Sequence, residues 1–288
     1  MITNTSDKNT SEGKSCKMIG IKRNSEDSLD SLFGYTADDV EHKREVQATL
    51  NLKLQEIFEH YKDHVSFPRA SFTKAEIPFI LTPEEINTLI QMTLGHLDIQ
   101  EHQNYTGCYL SRLIQNSYDN GENNFVFEDV YEISKFGHCL RGKKSNPITL
   151  NVLGGLADYS FQNLSHVNVK VNGNVGNLFG EYSINLTALI FGDVLDNCLY
   201  GGDNSTIFVD GNVESGFVFL CRNSFAAITK SCATEFSSMN KDLTIFVEDK
   251  SKVMIKKGYD SSIIEGNLSL GGEIYQNIIG DIFEVFEK

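Results

Sequence analysis

The chain has no tryptophan, and none of its stretches approaches 18 consecutive apolar residues. The second absence excludes a helix that spans a bilayer, so no membrane partner is expected. The opening Met1-Ile2-Thr3-Asn4-Thr5 lacks the apolar core of a secretory signal. Positive charge is also scarce. Lys and Arg number 25 against 39 Asp and Glu, a net charge of −14. Such a chain repels phosphate backbones, which marks down nucleic acid as a partner. Two basic clusters, Arg141 with Lys143 and Lys144 and the run over 252–257, are short and carry no aromatic stacking array. They read as solvated surface. The six cysteines show no paired spacing, so no disulfide framework is implied. Cys198 and Cys232 fall in apolar columns and read as buried small hydrophobes, which suits a reducing cytoplasm. What remains, 40% hydrophobic residues in 288, is enough for a sizeable core and two domains.

The strongest positive signal is a period. Gly173-Asn174-Val175, Gly192-Asp193-Val194 and Gly211-Asn212-Val213 stand 19 residues apart. A fixed period of this length marks units that fold only by stacking on their neighbours. At the same spacing, Leu150, Val169, Ala188, Ile207, Ala226 and Ile245 form one column, and Val152, Val171, Ile190, Val209, Ile228 and Val247 form another two places on. Apolar residues at alternate positions mean a strand with one buried face. No hairpin turn separates the copies, so they stack in parallel and in register. The glycine column with the Gly, Asn or Asp after it reads as a left-handed corner. A third apolar column follows at Leu156, Val175, Val194 and Val213. A second bend falls at Asn185, Asn204, Asn223 and Asp242, where stacked amides form either a hydrogen-bonded ladder or a plain turn preference. The expectation is an α+β chain: an N-terminal α-helical domain, then a parallel, right-handed β-solenoid with about 19 residues per coil.

The pattern over residues 171–180, Val-x-Gly-Asn-Val-Gly-x-x-x-Gly, resembles the glycine-rich solenoid repeats at the C-terminus of the glutamate synthase large subunit. It is similar to those in one of the subunits of formylmethanofuran dehydrogenase and in archaeal proteins with GNVG repeats. The resemblance covers the solenoid alone. Leu195 and Glu214 stand where the fuller motif has the glycine seen at Gly176. In the two enzyme families this domain is structural, so the resemblance implies no catalytic residue here.

Four regions follow. Residues 1–31 are polar and read as a disordered tail. Residues 32–146 read as a helical domain that plugs the first coil, whose interior would otherwise face water. One helix starts at Thr36 with Asp39 as capping partner and carries Leu54, Ile57 and Tyr61. Another starts at Thr82-Pro83-Glu84-Glu85. A third carries Tyr109, Leu113 and Tyr118 and stops at Asn120-Gly121. Residues 125–127 read as a strand and 129–136 as a short helix. The solenoid covers 147–270, and 271–288 reads as a second cap, with a partner-binding helix as the competing reading.

Familiar chemistries fall away. His60 and His64 are one helical turn apart but bring no third metal ligand. His138-Cys139 meets Cys108 or another histidine only through the tertiary fold. Gly201-Gly202-Asp203 and Gly154-Gly155 precede strands where a phosphate loop needs a helix. Asp193, Asp196, Asp203, Asp210 and Glu214 form no column of acids and read as solvated surface. The threonines at 149, 187, 206 and 244 are interrupted by Asn168 and Phe225, against an ice-binding array. Neither a cofactor nor a metal is expected.

One surface stands out. If Ala188, Ile190, Ile207 and Val209 point inward, then Leu189, Phe191, Phe208, Phe225 and Phe246, with Ala227, point outward. That is an apolar patch of several hundred Å², which needs cover. The cover is a second copy, another protein, or the chain's own helices. The leading expectation is therefore a non-enzymatic scaffold or interaction protein. The alternative is an enzyme or ligand-binding protein with a pocket at the helical-domain junction, drawing on His102, Tyr105, His138, Arg141 and His166.

Overall fold

The computed structural model describes residues 52–65, 72–94, 100–128, 130–231, 240–247, 261–265 and 286. The expected tail, the Thr36 helix start and most of 271–288 lie outside them. The chain divides into two compact units, Met1–Leu52 and Lys53–Lys288. All the described residues from 53 on belong to the second.

Among the described residues three helices come first: α1 (52–65), α2 (Pro83–Leu94) and α3 (Gln100–Asp119). The start of α2 is the expected capping box. The Thr82 N–H donates to Glu85 Oε2 at 2.9 Å, and the Glu85 N–H donates back to Thr82 Oγ1 at 3.2 Å. Ile86, Leu89 and Ile90 are fully buried, and Ile57, Tyr61, Tyr109 and Leu113 are buried with them in the core. A buried Asn116 ties α3 to the segment before α2, donating to the carbonyls of Ile77 (2.7 Å) and Phe79 (3.0 Å).

Eight parallel strands follow in strict chain order: β1 (Asn124–Glu128), β2 (Ile148–Leu153), β3 (Ser165–Val171), β4 (Ile184–Ile190), β5 (Thr206–Val209), β6 (Phe225–Ile228), β7 (Leu243–Val247) and β8 (Ser261–Glu265). Leu150 pairs with Val169, Val169 with Ala188, Ala188 with Ile207, Ile207 with Ala226 and Ala226 with Ile245. Each step is 19 residues, so the apolar columns are the rungs of a β-solenoid. Two further columns of parallel bridges complete each coil, one through Leu156, Val175, Val194 and Val213, the other through Ile184, Asp203, Arg222 and Lys241.

The sheet begins earlier than the repeat. β1 pairs with β2 at a 25-residue offset, Phe125 with Leu150. The chain between them, expected as a short helix at 129–136, is instead a first coil of turns. Lys135, Gly137 and Cys139 have positive φ (58°, 75° and 61°), and inter-coil bonds such as Phe161 N–H to Phe136 O (2.7 Å) replace helical ones.

The glycine column turns the chain for a different reason from the one expected. Gly154, at the head of the column, has a positive φ of 155°, but Gly173, Gly192 and Gly211 do not. They pack backbone on backbone: a Cβ at Gly192 would lie 2.4 Å from Gly173 O, and one at Gly211 would lie 2.0 Å from Gly192 O. Left-handed residues sit elsewhere. Asn185, Asn204, Asn223 and Asp242 have φ of 44–54°. The Asn204 amide bonds Asn185, while Asn223 turns to Asp203, so the column is both a turn and a broken ladder. Three more left-handed columns run through Tyr159, Phe161 and Asn163 and their counterparts one coil on, Leu178, Gly180 and Tyr182.

The layers are also stitched by side chains. Asn174 Oδ1 accepts the Asp193 N–H (2.9 Å), and Asp193 Oδ1 accepts the Asn212 N–H (2.7 Å). A parallel series joins Asp158 to Asn177 (2.8 Å), Asn177 to Asp196 (3.1 Å) and Asp196 to Ser215 (2.9 Å). Inside, the buried hydroxyls of Ser183, Ser205 and Ser224 take backbone N–H groups of the preceding coil. Asp193 and Asp196 are thus structural acceptors and not only solvated acids.

Candidate functional site

Alternation along a strand gives one inner and one outer face, and a free solenoid leaves the outer one wet. On β4–β7 both are buried. The outer column Leu189, Phe208, Ala227 and Phe246 is only 0%, 7%, 0% and 1% exposed. Phe191 and Phe225 are half-buried against it, and so is Phe286 from the chain's far end. The outer column is thus apolar, but within the single chain it is already covered. The same column is polar on the earlier rungs, at Asn151 and Lys170. There Lys170 Nζ sits 5.7 Å from the Phe191 ring centre and caps the apolar edge. A cavity of about 150 Å³ separates Phe286 from Val126, Thr149, Asn151 and Lys170.

The second site lies where α3 meets the first coil. Gly107 makes it possible: a Cβ there would fall 2.0 Å from Ser134 O, so only glycine lets the helix lie on that backbone. From the next residue on, Cys108, Ser111, Arg112 and Gln115 occupy one helical face by their spacing. With Phe72, His138 and Cys139 they line a cavity of about 60 Å³. Gln115 is held in place: its Oε1 accepts the Arg141 N–H at 2.8 Å, and its Nε2 donates to Arg141 O (3.2 Å) and Asp119 Oδ1 (2.9 Å). Cys139 Sγ accepts from Asn163 Nδ2 at 3.2 Å. Burial pushes the Cys108 thiol up to about 11. Burial, then the charges of Lys135 and Arg141, hold His138 below the usual imidazole value. Two buried nitrogens, Arg112 Nε and His138 Nδ1, have no hydrogen-bond partner among the described residues.

Of the five junction candidates, only His138 lines this cavity. The Arg141 guanidinium instead bonds Asn163, through the backbone carbonyl and through Oδ1 at 3.0 Å. His166, at φ 54°, lies with Nδ1 3.0 Å from Ser165 Oγ and Nε2 3.3 Å from Asn185 Nδ2. Tyr105 is half-buried elsewhere on α3, and the His102 side chain lies outside the described residues. The fold does supply the tertiary meeting that His138-Cys139 required, by bringing Cys108 to the same cavity. Arg112 and Gln115 are not among the residues that the sequence singles out. Their signal is the i, i+3, i+4, i+7 spacing from Cys108, which reads as a plain helix face until a partner surface is known.

His60 and His64 stack at 3.8 Å between ring centres. His60 Nδ1 bonds the Tyr109 hydroxyl (3.0 Å), and His64 Nδ1 donates to His60 O (2.8 Å). Among the described residues no group of three or more His, Cys, Asp or Glu side chains is placed to hold a metal ion. No helix of the described residues is long and apolar enough to cross a membrane.

The fold defines the chain as a β-solenoid repeat protein. Comparison with protein-family models, with curated proteins and with solved structures finds no match.

Proposed function

We propose that the chain is a non-enzymatic scaffold that engages a second copy of itself or another protein through the outer face of β4–β7. One observation carries the reading: the column Leu189–Phe208–Ala227–Phe246 is apolar on the face that a solitary solenoid leaves to water. Phe286 already packs there, so an incoming partner adds to or displaces the chain's own end. The column is already 0–7% exposed within the chain, so a partner gains apolar burial there by displacing the chain's own cover, Phe286 included. The glycine-rich likeness to the glutamate synthase solenoid, a structural domain in that enzyme, supports the same role. Buried thiols at Cys108, Cys198 and Cys221 suit a reducing compartment, and the reading puts the chain in the cytoplasm.

The test compares the native chain with Phe208→Asp, Phe246→Asp and Phe286→Asp by sedimentation velocity and co-purification. The native chain should self-associate at micromolar concentration or retain a partner, and Phe208→Asp should abolish it. Phe286→Asp, which removes one ring of the cover, should leave a folded chain with increased association. A strict monomer without a partner counts against the scaffold. Unchanged sedimentation and unchanged stability in the Phe208 and Phe246 variants would dispose of the face.

The competing reading, an enzyme or receptor at the helical junction, has a cavity in the right place. Its 60 Å³ is far below the several hundred Å³ that a metabolite fills.

A further inference from the structure

The junction cavity poses a chemical question that the scaffold role leaves open. Arg112 Nε is a donor under all conditions, and it is buried without a partner among the described residues. A buried guanidinium N–H left unpaired is costly, more so than a neutral group. His138 Nδ1 is a second buried and unpaired ring nitrogen, and both residues line the same space. Arg112 Nε therefore requires a hydrogen-bond acceptor inside the cavity, and His138 Nδ1 is met by the same acceptor in the tautomer that carries its proton on that nitrogen.

Charge narrows what that is. Among the described residues no Asp or Glu lines the cavity. The charged groups felt by His138 are Lys135 and Arg141, both cationic, and Lys135 is also the charge felt by Cys108. In a chain of net charge −14 this is a local positive field around a small polar space. Size narrows it again. A water needs about 10–15 Å³ of such space, so 60 Å³ suits a few waters or one small anion. The remaining lining is the Phe72 ring, the Ser111 hydroxyl, the Gln115 amide and the sulfurs of Cys108 and Cys139, with no carboxylate to repel an anion.

We propose that the cavity between α3 and the first coil binds a small inorganic oxyanion of the phosphate or sulfate class, with Arg112 as its charged donor and His138 as its second contact. A guanidinium matches such oxygens in geometry as well as charge. The anion would lock α3 to residues 138–139 and so fix the cap on the solenoid's first coil.

The experiment is thermal unfolding and calorimetric titration of the full chain with sodium phosphate and sodium sulfate, against sodium chloride at matched ionic strength. Phosphate or sulfate should raise the melting temperature in a saturable way that chloride does not reproduce. Arg112→Met should weaken the affinity at least tenfold, and His138→Phe, which keeps a ring but removes Nδ1, at least fivefold. Lys143→Gln with Lys144→Gln, on the neighbouring exposed turn, should change it less than twofold. If Arg112→Met does not fold, the His138→Phe and lysine arms decide alone. Equal responses to phosphate, sulfate and chloride would mean that the cavity holds water, and the proposal falls. It falls equally if the lysine pair, and not the cavity variants, abolishes binding.

Discussion

At the scale of single residues, the solenoid depends on acceptors that recur every 19 positions. Asp193 shows the logic. Its Oδ1 takes both the N–H of Asn212 (2.7 Å) and that residue's Nδ2 (2.9 Å), one coil on. What matters there is an sp² oxygen and not a charge. Asp193→Asn retains the oxygen and should stay within about 0.5 kcal/mol of the native chain, whereas Asp193→Ala strands the N–H and should cost about 1–2 kcal/mol. Urea unfolding with an unchanged slope measures both. Equal losses in the two variants would make the charge itself the stabilising feature. Much of this scale is legible in the sequence. The apolar columns, the Asn bend and the Thr82 cap are where their residue types put them. The left-handed columns through Tyr159 with Leu178, and through Phe161, are not legible, because bulky residues rarely adopt φ near 60° and carry no local turn signal. The stacking of coil on coil sets those angles.

At the scale of elements, the decisive contact is α3 on the first coil. Phe127, Phe136, Phe161 and Phe179 form a chain of edge-on rings, 5.1–5.8 Å between centres, that carries the aromatic interior from β1 into the repeat. On the other side, the Tyr118 hydroxyl donates to Asn146 O (2.7 Å) and accepts the Lys143 N–H (2.9 Å). Gly107 sets how close the helix comes. Gly107→Ala should therefore destabilise by about 1–3 kcal/mol, although alanine is the better helix former, because the methyl group meets the backbone of residues 134–136. Calorimetric unfolding checks it, and a more stable variant would show that the helix can lift without loss. This coil is hidden in the sequence for a physical reason. Its offset to the next is 24–25 residues and not 19, as the bridge from Arg141 to Ser165 and the pair Phe125–Leu150 show, so it falls out of a search for a fixed period. The cavity is hidden with it, since His138 and Cys139 come from that coil.

At the scale of the whole molecule, the stacked coils and the helices before them bury ionisable groups in their neutral forms, and that couples stability to pH from both sides. Burial pushes the thiols of Cys108 and Cys221 up to about 11 and about 12 and that of Cys198 well up, and it raises the Tyr61 and Tyr109 phenols. Below about pH 9 these thiols are protonated in both the folded and the unfolded chain, and their burial is free of an ionisation cost. Above it the unfolded chain ionises first, so stability falls as pH climbs from about 9 through 11, by about 1.4 kcal/mol per pH unit for each thiol. On the acid side the signs reverse. His60 and His138 are held below 6.5, chiefly by burial, so their contribution is complete above 6.5 and is lost as pH falls through it, when the unfolded chain takes up protons first. Urea unfolding between pH 5.5 and 10.5 should thus give a plateau from about 6.5 to about 9 with a fall on either side. The alkaline fall should shrink in Cys221→Ala, which removes one buried thiol from the middle of the stack. A profile that stays flat to pH 10.5 would mean that water reaches the interior thiols, and a solenoid packed coil on coil does not admit it.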